Sequence, residues 1–195
     1  MILRLVAIES VLSSAWRKYF GRCADVEILE TDICHVACDA VVSPANSFGF
    51  MDGGLDLDLS LRFGWDVQRR LQALIRELPM RELLVGEALL VATEDRAVPW
   101  LISAPTMRLP MDVSLTVNAY LAMKAILNVA LSAGCTPPIK TVAIPGLGTG
   151  VGRLDPERAA HQMFVAYGEV ILGQTTFPAD LYEASVMNHT LVFGG

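Results

Sequence analysis

The sequence predicts an α/β fold in which helices cover a central sheet. Two observations predict it. Short runs of β-branched and aliphatic residues alternate along the chain with segments whose apolar residues recur at helical spacing. Two of the strand-like runs then open into glycine-rich loops, and strand ends are where open α/β sheets place ligands. With 195 residues, 53% of them hydrophobic, the chain can bury a substantial core and is expected to form one domain over residues 1–195.

The elements follow in order. Residues 3–8 form the first strand and Ser10–Phe20 a short helix; Val26–Glu30 and Ala40–Ser43 are strands, the second brief and buried. A helix follows over residues 66–78, where Val67, Leu71, Leu74, Ile75 and Leu78 share a face. Strands at 88–93 and 100–104 precede a long helix over 114–132, and residues 139–144 make the strand before the second glycine loop. Asp155 then supplies an N-cap, Pro156 suits the first helical position, and Ala159, Met163 and Val170 begin an amphipathic pattern. Only after Gly173, around Gln174-Thr175-Thr176-Phe177-Pro178, does the pattern weaken, so residues 174–195 are read as a C-terminal extension.

One segment satisfies two periods at once. Residues 55–63, LDLDLSLRF, alternate strictly as a half-buried strand would, yet Leu55, Leu59 and Phe63 also fall at i, i+4 and i+8 of a helix. The nearby glycines favour a helix starting near Gly54. That choice puts Asp56 in the first turn; a strand would put Asp56 and Asp58 on one solvent face.

The second glycine loop, IPGLGTGVG at residues 144–152, places a glycine at every second position after an apolar strand. Each glycine costs entropy on folding, so four in seven residues imply a requirement. A strand, a glycine loop and a helix start together make a cradle for phosphate, through free N–H groups and the positive end of the helix. Two nucleotide families are excluded. The dinucleotide fingerprint needs G-x-G-x-x-G, and its third glycine would fall on Val151 or Arg153; a P-loop needs a lysine, and none lies between Lys140 and the C-terminus.

Composition narrows the partners. A net charge of −6 disfavours nonspecific nucleic-acid binding, although backbone amides bind a small anion whatever the net charge. No apolar run reaches the length of a membrane span, and the N-terminal stretch MILRLVAIES has charges inside its apolar segment and no small-residue cleavage site, so a cytoplasmic location is expected. Cys34 and Cys38 with Cys23, Cys135, His161 or His189 give no recognisable metal-ligand spacing; reduced cysteines packed as small hydrophobes are expected instead, with no metal and no cofactor.

A second polar, glycine-rich loop follows the third strand: Ser43-Pro44-Ala45-Asn46-Ser47-Phe48-Gly49-Phe50-Met51-Asp52-Gly53-Gly54-Leu55-Asp56. With Asp32-Ile33, the run from Asp39 to Asn46, Gly53-Gly54-Leu55-Asp56 and the IPGLGTGVG loop, the chain resembles the macro domain family over residues 26–170. That resemblance implies a three-layer α/β/α sandwich with a central mixed sheet. It also implies binding of ADP-ribose, with hydrolysis of ADP-ribose from protein side chains or deacylation of O-acyl-ADP-ribose in some members. By resemblance Asp32 accepts a hydrogen bond from the adenine amino group and the Ile33 amide meets the ring; Asn46 orients the distal ribose and Asp56 acts at the anomeric centre. Gly53, Gly54, Gly146, Leu147, Gly148, Thr149, Gly150, Val151 and Gly152 hold the remainder, the loop 148–152 wrapping the diphosphate.

The sequence also departs from the family pattern. Ser43 stands where an asparagine is more usual, and Ser60 where a histidine often follows the catalytic aspartate by four; both favour a non-catalytic reader of ADP-ribose over a hydrolase. The aromatic residue usual near the end of the second loop is replaced by Gly152 and Arg153, leaving Phe48 or Phe50 to pack on the distal ribose or simply to anchor their loop. Local readings stand beside the functional ones. Asp56 and Asp58 suit a first helical turn, Asp32 suits a turn cap, Asn46 suits a turn, and a structural or assembly protein that keeps the fold is a third possibility.

Overall fold

The computed structural model describes residues 1–194; Gly195, the end of the expected extension, lies outside them. The strands are β1 (Ile2–Ala7), β2 (Val26–Glu30), β3 (Ala40–Ser43), β4 (Leu89–Ala92), β5 (Trp100–Ser103) and β6 (Thr141–Ile144). The helices are α1 (Ser10–Phe20), α2 (Gly54–Phe63), α3 (Asp66–Glu77), α4 (Asn118–Ser132), α5 (Pro156–Val170) and α6 (Leu181–Phe193). The strands make one sheet in the order β2-β1-β6-β3-β5-β4, parallel except for β4, which pairs antiparallel with β5 at the edge. The sheet is therefore mixed, as expected.

Alternation along each central strand feeds two cores. Leu3, Leu5, Val42, Ile102, Val142 and Ile144 point to one face, against Trp16 and Phe20 of α1, Met123 of α4 and Tyr167 of α5. Val6, Val41, Leu101 and Ala143 point to the other, against Leu59 of α2 and Leu71 and Ile75 of α3. A sheet covered on both faces needs strands that are apolar at every position, which is why these runs are continuous rather than alternating.

The ambiguous segment is a helix. In α2, Leu59 is fully buried and Leu55 and Phe63 are partly buried against the same core, whereas Leu61 is exposed. A strand would have placed Leu55, Leu57, Leu59 and Leu61 on one side. The packing of Leu59 on the sheet prevails over the period-2 pattern.

Two boundaries move by more than one residue, and one helix was not expected. The long helix begins at Asn118, not 114, because Val113 carbonyl accepts from the Thr116 N–H and hydroxyl while Asp112 Oδ1 accepts from Ser114 N–H, closing local turns ahead of it. The last strand begins at Thr141, not 139, since the Asp39 carboxylate takes the N–H groups of Lys140 and Thr141. The stretch after Gly173 contains a helix that its pattern did not announce: α6 is capped by Asp180, whose side chain accepts from Glu183 N–H. It escaped notice because apolar residues occur on almost every side of it. Only Val192 is buried, while Leu181, Tyr182, Val186 and Phe193 are exposed. Fully buried Gln162 of α5 ties it down by donating to the Leu191 carbonyl at 3.0 Å.

Candidate functional site

A cleft of about 540 Å³ runs across the C-terminal ends of five strands, within the size range of small-molecule sites. Its walls come from Thr31, Asp32 and Ile33 after β2, Ile8 and Glu9 after β1, the loop after β6, the loop from Pro44 to α2 after β3, and Thr106, Met107 and Pro110 after β5. From β2 to β3 is three strand spacings, about 14 Å, room for an extended dinucleotide-sized ligand.

Both glycine-rich loops line this one cleft. In the loop after β6, Gly148 has φ +73°, and a Cβ on Gly152 would lie 2.5 Å from the Gly148 carbonyl oxygen and 2.6 Å from Val113. A Cβ on Gly146 would collide with Thr149 and Leu12. Gly150 differs: its φ is not left-handed and nothing lies within 4 Å of a Cβ built there. The fold itself thus explains three of the four glycines; the fourth, exposed Gly150, lines the cleft and would meet no atom with a Cβ.

The same loop carries free donors. Among the described residues, the N–H groups of Gly148, Thr149, Gly150, Val151 and Gly152 find no acceptor in the protein, while the turn is closed by Arg153 N–H to Gly150 and Leu154 N–H to Gly148. Two helix starts add to them. α1 begins after Glu9 and α2 after Gly53, neither with a side-chain cap, and both beginnings line the cleft. The expectation that the helix after the glycine loop supplies the positive end is corrected here: the Asp155 side chain accepts from Glu157 and Arg158 N–H, closing the start of α5, and α5 contributes nothing to the cleft wall. Unmatched amides are a cradle for an anion.

Asp56 sits in the first turn of α2, 8% exposed, and lines the cleft. Its Oδ1 accepts from the fully buried Ser43 hydroxyl at 2.5 Å. Burial, with a smaller push from the negative charge of Asp52, raises its carboxyl to about 6 against the downward pull of the Ser43 hydroxyl. A carboxylate titrating there is poised to exchange a proton near neutral pH.

Asn46 lines the cleft, but its amide serves its own loop: Oδ1 accepts from Phe48 and Phe50 N–H at 3.1 and 3.3 Å, and Nδ2 donates to the Phe50 carbonyl at 2.8 Å. One N–H of that amide remains unused. Asp32 lines the cleft and also caps its turn, Oδ1 accepting from Cys34 N–H at 2.8 Å with His35 Nδ1 3.1 Å from Oδ2. Ile33, Gly53, Gly54, Gly146, Gly148, Thr149, Gly150, Val151 and Gly152 line the cleft as well.

Two expected residues lie elsewhere. Leu147 is fully buried, its side chain packed in the same core as Ile144 and Leu12. Phe48 is outside the cleft wall, its ring 5.1 Å from the Arg108 guanidinium; the aromatic at the cleft is half-exposed Phe50. Ser60 is structural, donating to the Met51 carbonyl at 2.8 Å, and Met51 N–H donates to Gln68, so the loop before α2 is held from below. The sequence reading missed Ile8, Glu9, Thr106, Met107 and Pro110; the rule that ligands sit at strand ends already pointed to the loops after β1 and β5.

The wall carries Glu9, Asp32, Asp52, Asp56 and Asp58 and, among the described residues, no Lys, Arg or His. Away from it, burial pushes the thiols of Cys34 and Cys38 up to about 11, so they are inert hydrophobes at neutral pH. Among the described residues no three His, Cys, Asp or Glu side chains converge as a metal site requires, and no helix is long and apolar enough to cross a membrane.

This architecture, a mixed sheet between helical layers with a cleft between two glycine loops, is that of a macrodomain. The sequence profile of the Macro domain family matches residues 42–163, and the chain belongs to that family. An uncharacterized protein of Aquifex aeolicus (strain VF5) is 34% identical over 139 residues, 71% of this chain and 78% of that protein. The macrodomain of Mycobacterium tuberculosis DarG superposes with a TM-score of 0.60 at 21% identity, covering 71% of this chain and 87% of that one. A mutant macrodomain of Oceanobacillus iheyensis with ADPR gives 0.59 at 16% identity, covering 70% and 72%. At these identities the structural likeness establishes the fold.

Proposed function

We propose that the protein binds ADP-ribose in this cleft and hydrolyses it from modified protein side chains, or deacylates O-acyl-ADP-ribose, with Asp56 as the group acting at the distal ribose. The observation that carries the binding half is the run of five unmatched amides, 148–152, lining one cleft with two uncapped helix starts. A diphosphate matches that array, since amides fixed in advance stabilise an anion without a cation. With the diphosphate there, Asp32 and Ile33 at the β2 end suit the adenine, and the β3 end suits the distal ribose. The Oceanobacillus iheyensis macrodomain solved with ADPR supports the choice of ligand.

The catalytic half rests on Asp56. Its Oδ1 is held by Ser43 and its Oδ2 is left to the cleft. For a protein-linked substrate, Oδ2 takes a proton from a water whose oxygen bonds to the anomeric carbon as the bond to the side chain breaks. The bonding pair leaves with the side chain, as a carboxylate from Asp or Glu, while a Ser or Arg leaving group takes that proton back from Asp56. Positioning by the diphosphate cradle supplies much of the rate. A reader of ADP-ribose without turnover is the second reading, favoured by the commitment of the Asn46 amide to its own loop. Calorimetry with ADP-ribose tests the binding. Turnover against ADP-ribosylated Asp/Glu, Ser and Arg substrates and acetyl-ADP-ribose separates the two: release of ADP-ribose or acetate supports the hydrolase, and tight binding without release supports the reader.

A further inference from the structure

We propose that Ser43 is a positioning residue for Asp56: its hydroxyl clamps one carboxylate oxygen so that the other alone is presented to the cleft. This rests on the reading of Asp56 as the group acting at the distal ribose. Ser43 is the last residue of β3, fully buried and outside the cleft wall, so it acts on a ligand only through Asp56. A serine hydroxyl has one proton to give, and here it goes to Asp56 Oδ1 at 2.5 Å. Among the described residues no other side chain or amide donates to that carboxylate. Directly across the sheet, Ser103 of β5 pairs in register with Ser43 and is equally buried, but its hydroxyl has no partner. The two serines share strand end, size and burial, and differ in that only one reaches Asp56.

The charged surroundings make the clamp matter. Asp52, from the loop before α2, is the charged side chain acting on Asp56, and like burial it favours the protonated form; from the β3 side the Ser43 hydroxyl alone favours the carboxylate. Removing that hydroxyl therefore has two effects. The carboxylate loses the contact that fixes its rotamer, and it holds its proton to higher pH.

The test compares wild type, Ser43→Ala, Ser43→Cys and Ser103→Ala by the pH profile of kcat, by KM, and by a ¹³C NMR titration of the Asp56 carboxyl. In both Ser43 variants the acid limb and the NMR midpoint should rise by about one to two pH units, the worth of a hydrogen bond to a charged group. On the alkaline plateau kcat should stay about threefold to tenfold down from lost positioning, with KM nearly unchanged. Ser103→Ala should match wild type. A merely structural role would lower kcat equally at every pH and leave the midpoint in place. An unmoved midpoint in folded Ser43→Ala or Ser43→Cys overturns the proposal. Absence of turnover in wild type defeats the hydrolase reading instead, and the NMR midpoints still decide whether Ser43 controls Asp56.

Discussion

Gly152 lies against Gly148 so closely that a Cβ at 152 would come within 2.5 Å of the Gly148 carbonyl oxygen, two backbones closing one turn. Leu154 N–H donating to the Gly148 carbonyl closes that turn, and Val113 N–H donating to the Gly152 carbonyl ties it to the segment ahead of α4. Because backbone cannot yield as a flexible side chain can, Gly152→Ala should destabilise the protein by about 1–3 kcal/mol, read as a lower melting temperature.

Gly150 gives the opposite pattern. Its position is open and its φ is not left-handed, so Gly150→Glu should melt like wild type. The new carboxylate enters the space assigned to the diphosphate, and ADP-ribose binding should disappear from calorimetry. Unchanged binding in a folded Gly150→Glu would remove the diphosphate from this loop.

How much of this was legible beforehand follows from where the signal sat. Strand cores such as Val41, Val42 and Ile144 announce themselves by continuous apolarity, and the Asp155-Pro156 start of α5 by its cap chemistry, so the layers and the two loops could be placed. The purpose of Gly148 and Gly152 could be guessed from spacing, whereas the difference between them and Gly150 depends on which atoms lie a few ångströms away. The Ser43–Asp56 hydrogen bond spans thirteen positions across a loop, and no local pattern encodes it. α6 was illegible for another reason: its apolar residues mark no single face.

Asp32 caps its own turn and is proposed to meet the adenine, and substitution should separate the two roles. Asp32→Ala should weaken ADP-ribose binding by about 1.5–3 kcal/mol, the worth of a hydrogen bond involving a charged group, while ribose phosphate, lacking the adenine, binds as before. Its carboxylate also holds Cys34 N–H, so a small loss of melting temperature should accompany the change. Equal weakening of both ligands would assign Asp32 to folding alone.

Salt should act unusually. A cleft wall with five carboxylates and no cation among the described residues would repel a diphosphate at long range, and in the proposed mode the attraction comes from short-range amides. Raising NaCl from about 50 to about 500 mM screens the repulsion, so ADP-ribose affinity measured by calorimetry should hold steady or rise. A steep fall with salt would place an unrecognised cation at the site.

The buried carboxyl of Asp56 has a stability signature. Its value in the folded protein is raised from 3.8 to about 6, so the native state binds the proton more tightly than the unfolded chain does. Its contribution is full below about 4 and is lost as the pH rises through about 6. Asp56→Asn keeps an acceptor for Ser43 but carries no charge. It should therefore be more stable than wild type at pH 7 to 8 by up to about 3 kcal/mol, with the advantage vanishing toward pH 4 in denaturant titrations.

Asp56 is proposed to act on the distal ribose of ADP-ribose held by the two glycine loops. That role is tested most directly by the release of ADP-ribose from a modified protein under single-turnover conditions, with enzyme in excess, comparing wild type with Asp56→Ala at matched occupancy. The expected result is near-equal affinity for ADP-ribose and a release rate lower by roughly 10²-fold or more; release by Asp56→Ala at the wild-type rate would contradict the account.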